Sequence, residues 1–146
     1  MKDVSDAIED IIHKTDDNWQ TKTSSWHALK SVSGSGRQDP HKDFPSFETS
    51  RALITKTAVQ ASVIVALMPG ARFIILPRRF GSRRRKNFGI VKFYFYRGDV
   101  VHAGTDFVEE NIRLHCFVLI KGIDQQTDFY RCYRIRNALS GQPACV

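Results

Sequence analysis

The segment 112–120, IRLHCFVLI, constrains the fold of this chain more than any other. Its even-numbered positions are apolar or cysteine, whereas Arg113 and His115 share the opposite face with Phe117 and Leu119. Alternation with a period of two is typical of a β-strand. Because two polar side chains among large apolar ones are unusual on a solvent face, the pattern indicates a strand that lines a pocket inside a sheet sandwich.

Several other segments have the character of strands. Residues 90–97 alternate aromatic and β-branched side chains between two faces. Residues 59–67 and 72–76 flank the dipeptide Pro69-Gly70, which favours a tight turn, so these two segments are predicted to pair as a hairpin. Extended segments are predicted at 59–67, 72–76, 90–97, 100–103 and 112–120.

A short amphipathic helix precedes the strands. Val4, Ile8 and Ile12 recur on one helical face, which predicts a helix over residues 3–14. Residues 15–40 are polar apart from two tryptophans and end in a Ser/Gly-rich stretch that is typical of a flexible loop. Many short strands, glycine and proline turns and little helix predict a mainly β antiparallel sandwich or jelly roll.

The composition argues against two classes of protein. No run of eighteen apolar residues occurs and the N-terminal segment is acidic and polar, so neither a membrane span nor a signal peptide is predicted. Cys116, Cys132 and Cys145 are odd in number and lack CxxC spacing, which argues against a disulfide framework and against a thiolate zinc site. We therefore predict an intracellular, cytoplasmic protein with free thiols.

The net charge of +7 is unevenly distributed along the chain. The densest basic cluster consists of Arg78, Arg79, Arg83, Arg84, Arg85 and Lys86. Such a cluster attracts anionic partners, for example nucleic acid or an acidic protein, through long-range forces that weaken with salt. A solvated loop that keeps the protein soluble has the same composition. The sequence leaves both interpretations open.

Two histidines and an aspartate have the spacing of metal ligands. His41 and Asp43 are separated by one residue, so on a strand both side chains point to the same side. His102 follows after enough residues for several strands to bring it opposite them. Two imidazoles and a carboxylate suit a non-haem iron. Arg113, on the next predicted strand, could hold the carboxylate of an anionic ligand whose other end reaches the metal.

Each of these residues also has a simpler interpretation. His41 and Asp43 suit a turn that follows a proline, with the carboxylate capping the residues after it. His102 suits an ordinary buried histidine. Arg113 suits an ion pair with an acidic residue of the preceding loop, which offers Asp106, Glu109 and Glu110. The metal site is favoured because the order, spacing and strand faces of the four residues agree with one another.

These motifs resemble those of a known family. His41 and Asp43 in HKD, the histidine of GDVVH at 98–102 and the sequence NIRLH at 111–115 are similar to the motifs of the iron(II)/2-oxoglutarate-dependent dioxygenases. The resemblance covers about residues 26–121. It implies a double-stranded β-helix, a jelly-roll or cupin-like fold, that follows the short N-terminal helix.

The resemblance also implies a cofactor and a reaction. It assigns His41, Asp43 and His102 to Fe(II) and Arg113 to the distal carboxylate of 2-oxoglutarate. Asn111 and His115 match flanking positions at the co-substrate. The implied reaction uses O2 to hydroxylate or demethylate an unknown substrate while 2-oxoglutarate is decarboxylated to succinate.

The resemblance sets the expected organisation of the chain. We predict a single domain over residues 1–146, in which 1–25 form the helix and a polar lead-in, 26–121 the β core and 122–146 a C-terminal extension. Family members usually have more structure before the first ligands to brace the larger sheet. Three alternatives are open: the domain is minimal, a partner chain completes a sheet edge, or the polypeptide is a truncated and inactive relative. An uncovered sheet edge invites pairing, so self-association is the form that the second alternative predicts.

Two other functions remain open from the sequence. One is a non-catalytic, cupin-like module that binds a metal. The other is a basic nucleic-acid-binding module in which the histidines and the aspartate come together by accident. In the second case metals would leave the thermal stability of the protein unchanged.

Overall fold

The structure is a computed structural model that describes residues 2–76, 84–87 and 93–127, with the backbone alone for 2–3 and 84–87. Within these residues eight strands form two antiparallel sheets, and two α-helices accompany them. The helices are α1 (Lys2–Thr15) and α2 (Ser46–Lys56). The strands are β1 (Trp19–Gln20), β2 (Trp26–Ser31), β3 (Ala61–Ala66), β4 (Arg72–Leu76), β5 (Arg84–Asn87), β6 (Phe93–Arg97), β7 (Val101–Gly104) and β8 (Asn111–Ile120). The mainly β prediction is confirmed.

The larger sheet is built around β8. Its N-terminal part pairs with β2 and its last residues pair with β1 along one edge, while β3 pairs along the other edge and β6 lies beyond β3. All six residues of β3 are buried, as expected for a strand with a neighbour on each side and side chains packed on both faces. The sequence ASVIVA accordingly shows no polar face.

The smaller sheet has the order β5-β4-β7. A short bridge between His41 and His102 adds one more backbone pairing to β7. Apolar side chains of the two sheets meet in one buried cluster, in which Ile64 and Tyr96 of the larger sheet pack with Phe73 of the smaller one. The two sheets therefore enclose a common interior.

The predicted hairpin between 59–67 and 72–76 is wrong. Both segments are strands, but β3 pairs with β6 and β8, whereas β4 pairs with β5 and β7. β3 has no free edge for β4 because both of its edges are occupied. The turn at Pro69-Gly70, where Gly70 has a φ of 76°, instead carries the chain from the larger sheet to the smaller one.

The helix predicted over 3–14 is confirmed as α1. Ile8 and Ile12 are buried in a core cluster with apolar residues of β3 and β8, including Val63, Leu114 and Cys116. Leu114 and Cys116 lie on the face of β8 opposite Arg113. The alternation in 112–120 therefore separates a face that packs against α1 from a face that points into the space between the sheets.

Outside the basic cluster, two strands and one α-helix were not predicted from the sequence. β1 and β2 lie within the segment 15–40, and both are edge strands whose residues are largely half-buried or exposed. α2 has no usable apolar stripe, because Phe47 and Ile54 are exposed while Glu48 and Thr49 are buried. Its helical period is therefore invisible in the hydrophobic pattern.

The basic cluster is only partly covered by the structure. Arg78, Arg79 and Arg83 lie outside the described residues, and residues 84–86 belong to β5, so this part is a strand and not a loop. Arg131, Arg134 and Arg136, which form a second basic group in the sequence, lie outside the described residues with the rest of the extension from residue 128 onward. Neither helix of the described residues is long and apolar enough to cross a membrane.

Candidate metal centre

His41 and His102 lie directly opposite each other in an antiparallel bridge. Each backbone amide donates to the carbonyl oxygen of the other residue, at 2.9 Å in both directions. Residues paired in this way project their side chains to the same side of the sheet. The two buried imidazole rings therefore lie together, with centroids 4.4 Å apart.

The main chain orients both imidazoles. Nδ1 of His41 lies 2.8 Å from the carbonyl oxygen of Asp39, and Nδ1 of His102 lies 3.1 Å from that of Val100. Because a carbonyl oxygen can only accept, each Nδ1 carries the proton of its hydrogen bond. A partner of this kind on one nitrogen is how proteins commonly direct the other nitrogen, here Nε2, toward a metal.

The carboxylate of Asp43 lies beside the two imidazole rings. The side chain is fully buried, and its Oδ1 lies 3.4 Å from Nε2 of His102. The potential ligand atoms of His41, Asp43 and His102 all lie within 4.8 Å of one another. The structure thus brings together the three residues that the sequence grouped, two residues of the segment before α2 and one of β7.

The local electrostatics keep this carboxylate charged. Burial alone would raise the pKa of Asp43, but His102 and His115 beside it outweigh burial and hold its pKa well below the usual range. Asp43 in turn raises the pKa of His102 against the effect of burial. Burial and the neighbouring His102 lower the pKa of His41. The site therefore combines one buried negative charge with two imidazoles.

This donor set fits a divalent transition metal. Imidazole nitrogen suits zinc, copper, iron and nickel, and two histidines with one carboxylate and open positions are typical of non-haem iron(II). The Nδ1 hydrogen bonds to main-chain carbonyls supply the outer partners that metal-binding histidines require. The residues present are therefore competent to hold such an ion.

Arg113 reaches the same pocket from β8. The pocket is lined by all three potential ligands and by Arg113, together with apolar residues such as Leu29 and Phe73. The guanidinium donates from Nη2 to the Ser31 hydroxyl at 2.7 Å and stacks on the ring of Phe107, with Cζ 4.6 Å from the centroid. The predicted inward face of 112–120 is thus confirmed.

The charge of Arg113 is not balanced by a carboxylate within the described residues. The side chain is 7% exposed, and its Nε has no hydrogen-bond partner there. Burial lowers the pKa of Arg113 to about 10, so the guanidinium is charged at neutral pH. A buried cation with an unused donor favours an anionic ligand in the pocket.

The two flanking residues differ in their surroundings. His115 lines the pocket, and its Nε2 lies 3.2 Å from Oδ2 of Asp43. Asn111 is buried and donates from Nδ2 to the Pro69 carbonyl at 3.0 Å, so it holds the turn between the sheets. Contact of either residue with a co-substrate stays a prediction.

Tyr96 contacts the potential ligands, whereas the sequence suggested it only as one of several aromatic residues that could form an apolar wall of the pocket. Its hydroxyl donates to Oδ2 of Asp43 at 2.7 Å and lies 3.3 Å from Nε2 of His115. Phe95, on the opposite face of β6, stacks on Trp19 with centroids 5.5 Å apart. The alternation in β6 contained the signal, because it puts Tyr96 and Phe95 on different faces, but it did not say which face is the inner one.

The simpler interpretations of His41, Asp43 and Arg113 do not describe these contacts. The segment with His41 pairs with β7, and Pro45 occupies the position before α2 that a capping Asp43 would need. Arg113 contacts Ser31 and Phe107, and the ion pair of the loop acid Glu110 is with Lys30 at 2.7 Å.

No family model and no curated protein matches the chain. It is similar in structure to AviO1 from Streptomyces viridochromogenes Tue57, with a TM-score of 0.60 and 8% identity over 80% of this chain and 58% of that one. For the Ni complex of the non-heme monooxygenase ThoJ the TM-score is 0.58 and the identity 11%, over 82% of this chain and 52% of that one. For a prolyl 4-hydroxylase from Phytophthora capsici the TM-score is 0.55 and the identity 12%, over 86% of this chain and 42% of that one.

The chain thus spans about half the length of the solved structures it matches. At these identities the similarity shows the fold alone, and that fold confirms the predicted double-stranded β-helix, a cupin-like architecture with a short N-terminal helix. Together, fold and site define a mainly β protein with a buried His-Asp-His group that could bind a metal.

Proposed function

We propose that this chain is an Fe(II)- and 2-oxoglutarate-dependent dioxygenase that hydroxylates or demethylates a substrate. The observation that carries the proposal is the combination, in one pocket, of the His41, Asp43 and His102 group with the unbalanced guanidinium of Arg113. A metal site alone would suit many cupin-like proteins. A buried cation beside it selects a ligand that chelates the metal at one end and carries a carboxylate at the other.

His41, Asp43 and His102 would hold the iron through two imidazole nitrogens and one carboxylate oxygen. With iron(II) bound, the site would use O2 to convert 2-oxoglutarate into succinate and CO2 and to insert the second oxygen atom into a substrate C–H bond. The protein contributes the ligands, their orientation through the Asp39 and Val100 carbonyls, and the surroundings of the reacting groups.

Arg113 would bind the distal carboxylate of the keto acid. Its planar guanidinium matches a carboxylate, and the Ser31 hydroxyl and the Phe107 ring hold that plane in one orientation. Because the side chain is buried, its attraction to an anion is screened less than it would be at the surface. Binding energy at Arg113 would thereby position the reacting end of the co-substrate.

Apolar walls would exclude water from the reacting groups. Leu29, Ile64 and Phe73 line the pocket from both sheets, and the Phe73 ring lies 5.0 Å from that of His102. A dry, shaped cavity strengthens electrostatic interactions and suppresses side reactions.

The other predictions on the chain belong to the same proposal. They are a single domain, self-association through an open sheet edge, and a cytoplasmic location. The substrate is proposed to be anionic, a nucleic acid or an acidic protein, because of the basic residues at 78–86.

The test compares two keto acids that differ only in the distal carboxylate. Fe(II)-loaded protein is given 2-oxoglutarate or 2-oxopentanoate with O2, and the decarboxylated acid is measured by mass spectrometry. We expect 2-oxoglutarate to be used at lower concentration by about 10- to 150-fold, because hydrogen bonds to a charged group contribute about 1.5–3 kcal/mol. Arg113→Met should lose this preference, while Arg97→Met, which alters an exposed arginine paired with Asp99, should keep it.

Other outcomes would support other functions. Metal binding with no decarboxylation of either keto acid would favour the non-catalytic cupin-like module. If Fe(II) leaves the melting temperature unchanged while the protein binds DNA or RNA in a salt-sensitive manner, the nucleic-acid-binding module is favoured and the dioxygenase is refuted.

A further inference from the structure

The two oxygens of Asp43 have different surroundings. Oδ2 accepts from the Tyr96 hydroxyl at 2.7 Å and lies 3.2 Å from Nε2 of His115. Oδ1 faces Nε2 of His102 at 3.4 Å, on the side of the potential metal ligands. One oxygen of the carboxylate is thus turned toward the larger sheet and the other toward the metal site.

The positions of the protons follow from these contacts. A charged carboxylate only accepts, so Tyr96 gives its single hydroxyl proton to Oδ2. Nε2 of His115 must also carry a proton to approach Oδ2 favourably, and that proton can be shared with the Tyr96 oxygen 3.3 Å away. Two donors therefore converge on a single oxygen of Asp43.

The two donors are held firmly in place. Tyr96 and His115 are 6% and 4% exposed, and they belong to β6 and β8, the strands that flank β3 in the larger sheet. The Tyr96 ring packs against Phe73 at 5.1 Å, and the His115 ring packs edge-on against Phe117 at 4.6 Å. Close packing of buried rings leaves them little freedom to follow a carboxylate that rotates.

We propose that Tyr96 and His115 are positioning residues that hold Oδ2 of Asp43 away from the metal, so that Asp43 binds through Oδ1 alone. The inference rests on the proposed function and adds to it a reason why the keto acid and O2 can bind together. Carboxylates bind metals through one or two oxygens, and the choice depends on what else contacts them.

The consequence concerns the number of open positions. With Asp43 bound through one oxygen, the protein would fill three positions of an octahedron and leave three, two for a chelating keto acid and one for O2. With both oxygens bound, only two positions would remain. The keto acid would then have to displace a protein ligand oxygen or leave no position for O2.

The experiment uses Co(II) and 2-oxoglutarate as probes under anaerobic conditions. Affinities for both are measured by calorimetry, and the visible absorption of bound Co(II) reports its coordination. In Tyr96→Phe we expect Co(II) affinity to be kept or increased and 2-oxoglutarate still to bind, while the visible spectrum of the Co(II)–2-oxoglutarate complex changes, because Oδ2 would then fill the position kept for O2. The matched control is Tyr94→Phe, which removes a hydroxyl from the same strand, stacked on Tyr96 at 6.1 Å.

A second pair of variants separates positioning from a structural effect. His115→Gln keeps a side-chain N–H that can reach Oδ2 and should retain the wild-type spectrum of the Co(II)–2-oxoglutarate complex, whereas His115→Leu should change it as Tyr96→Phe does. If the spectrum of Tyr96→Phe equals that of the Tyr94→Phe control, or if His115→Gln and His115→Leu behave alike, the proposal is overturned. Loss of Co(II) and keto acid together in Tyr96→Phe would also overturn it, and a wild-type protein that binds no Co(II) would refute the dioxygenase itself.

Discussion

Replacing Gly98 with alanine tests how the core holds the metal site. A Cβ at position 98 would lie 2.4 Å from Cδ2 of Phe44 and 3.2 Å from the carbonyl oxygen of Gln60. Phe44 is fully buried, and its ring packs edge-on against Phe117 with centroids 5.7 Å apart. Because the ring has no open space beside it, the added methyl group overpacks the core.

The size of the effect follows from the geometry. The Cβ would lie about 1 Å closer to Phe44 than the 3.4 Å of an ordinary contact, and overpacking costs about 1–3 kcal/mol of unfolding free energy. In a domain of this size each kcal/mol lowers Tm by about 2–4 °C, so we expect a drop of roughly 2–12 °C. Since Phe44 directly follows Asp43, relief of the clash should also move the carboxylate and weaken Co(II) binding.

Thermal unfolding followed by circular dichroism measures the change. The matched control is Gly36→Ala, because a Cβ there meets nothing within 4 Å. The double variant Gly98→Ala/Phe44→Leu should be less destabilised than the sum of its single changes, since the smaller side chain makes room for the methyl group. The reasoning is refuted if Gly98→Ala melts at the same temperature as Gly36→Ala.

Three further predictions concern the core and the pocket. Ile12→Ala should lower the free energy of unfolding, measured by urea denaturation, by about 2–5 kcal/mol because the side chain is fully buried. Ile54→Ala, at a position that is 84% exposed, should change it by no more than about 0.5 kcal/mol, and equal effects would argue against the packing of α1. Burial raises the pKa of the Cys116 thiol, so iodoacetamide at mildly alkaline pH should leave it unmodified in the folded protein, and peptide mass spectrometry showing rapid alkylation would contradict this. Ser31→Ala should weaken 2-oxoglutarate binding without changing Co(II) affinity in calorimetry, because the change removes the acceptor of Arg113; unchanged keto acid affinity would count against that contact.

The sequence was most informative where periodicity and burial coincide. In β8 the alternation of residues placed Arg113 and His115 on one face and Cys116 on the other, and the structure has both faces as predicted. The pair of His41 and Asp43 was placed in one pocket by the same argument. A period of two is a local property of the chain, so it can be read without knowledge of the neighbours.

Which strands pair with each other could not be predicted from this local pattern. The Pro69-Gly70 turn is real, but whether the next strand returns beside the first depends on which edges are already occupied. β3 lies between β6 and β8, which come much later in the chain. The hairpin prediction failed because a turn sets a change of direction and does not set the partner.

The helix α2 and the contacts of Tyr96 are two further features that the sequence pattern did not predict. The apolar residues Phe47 and Ile54 of α2 face solvent while Glu48 is buried, so the usual amphipathic signal is absent. Tyr96 meets Asp43 across 53 positions of sequence. Nothing in the residues near either one indicates that contact, which exists only because the two sheets enclose one interior.

The central claim is that one metal and one chelating keto acid occupy the pocket of His41, Asp43, His102 and Arg113. Its most direct test is anaerobic addition of Fe(II) and then 2-oxoglutarate, with the visible charge-transfer band of a metal-chelated keto acid as the signal. We predict that the band saturates at one equivalent of Fe(II), is absent in His102→Ala, and requires more 2-oxoglutarate in Arg113→Met. A wild-type protein that binds Fe(II) but shows no band at saturating 2-oxoglutarate would contradict the claim.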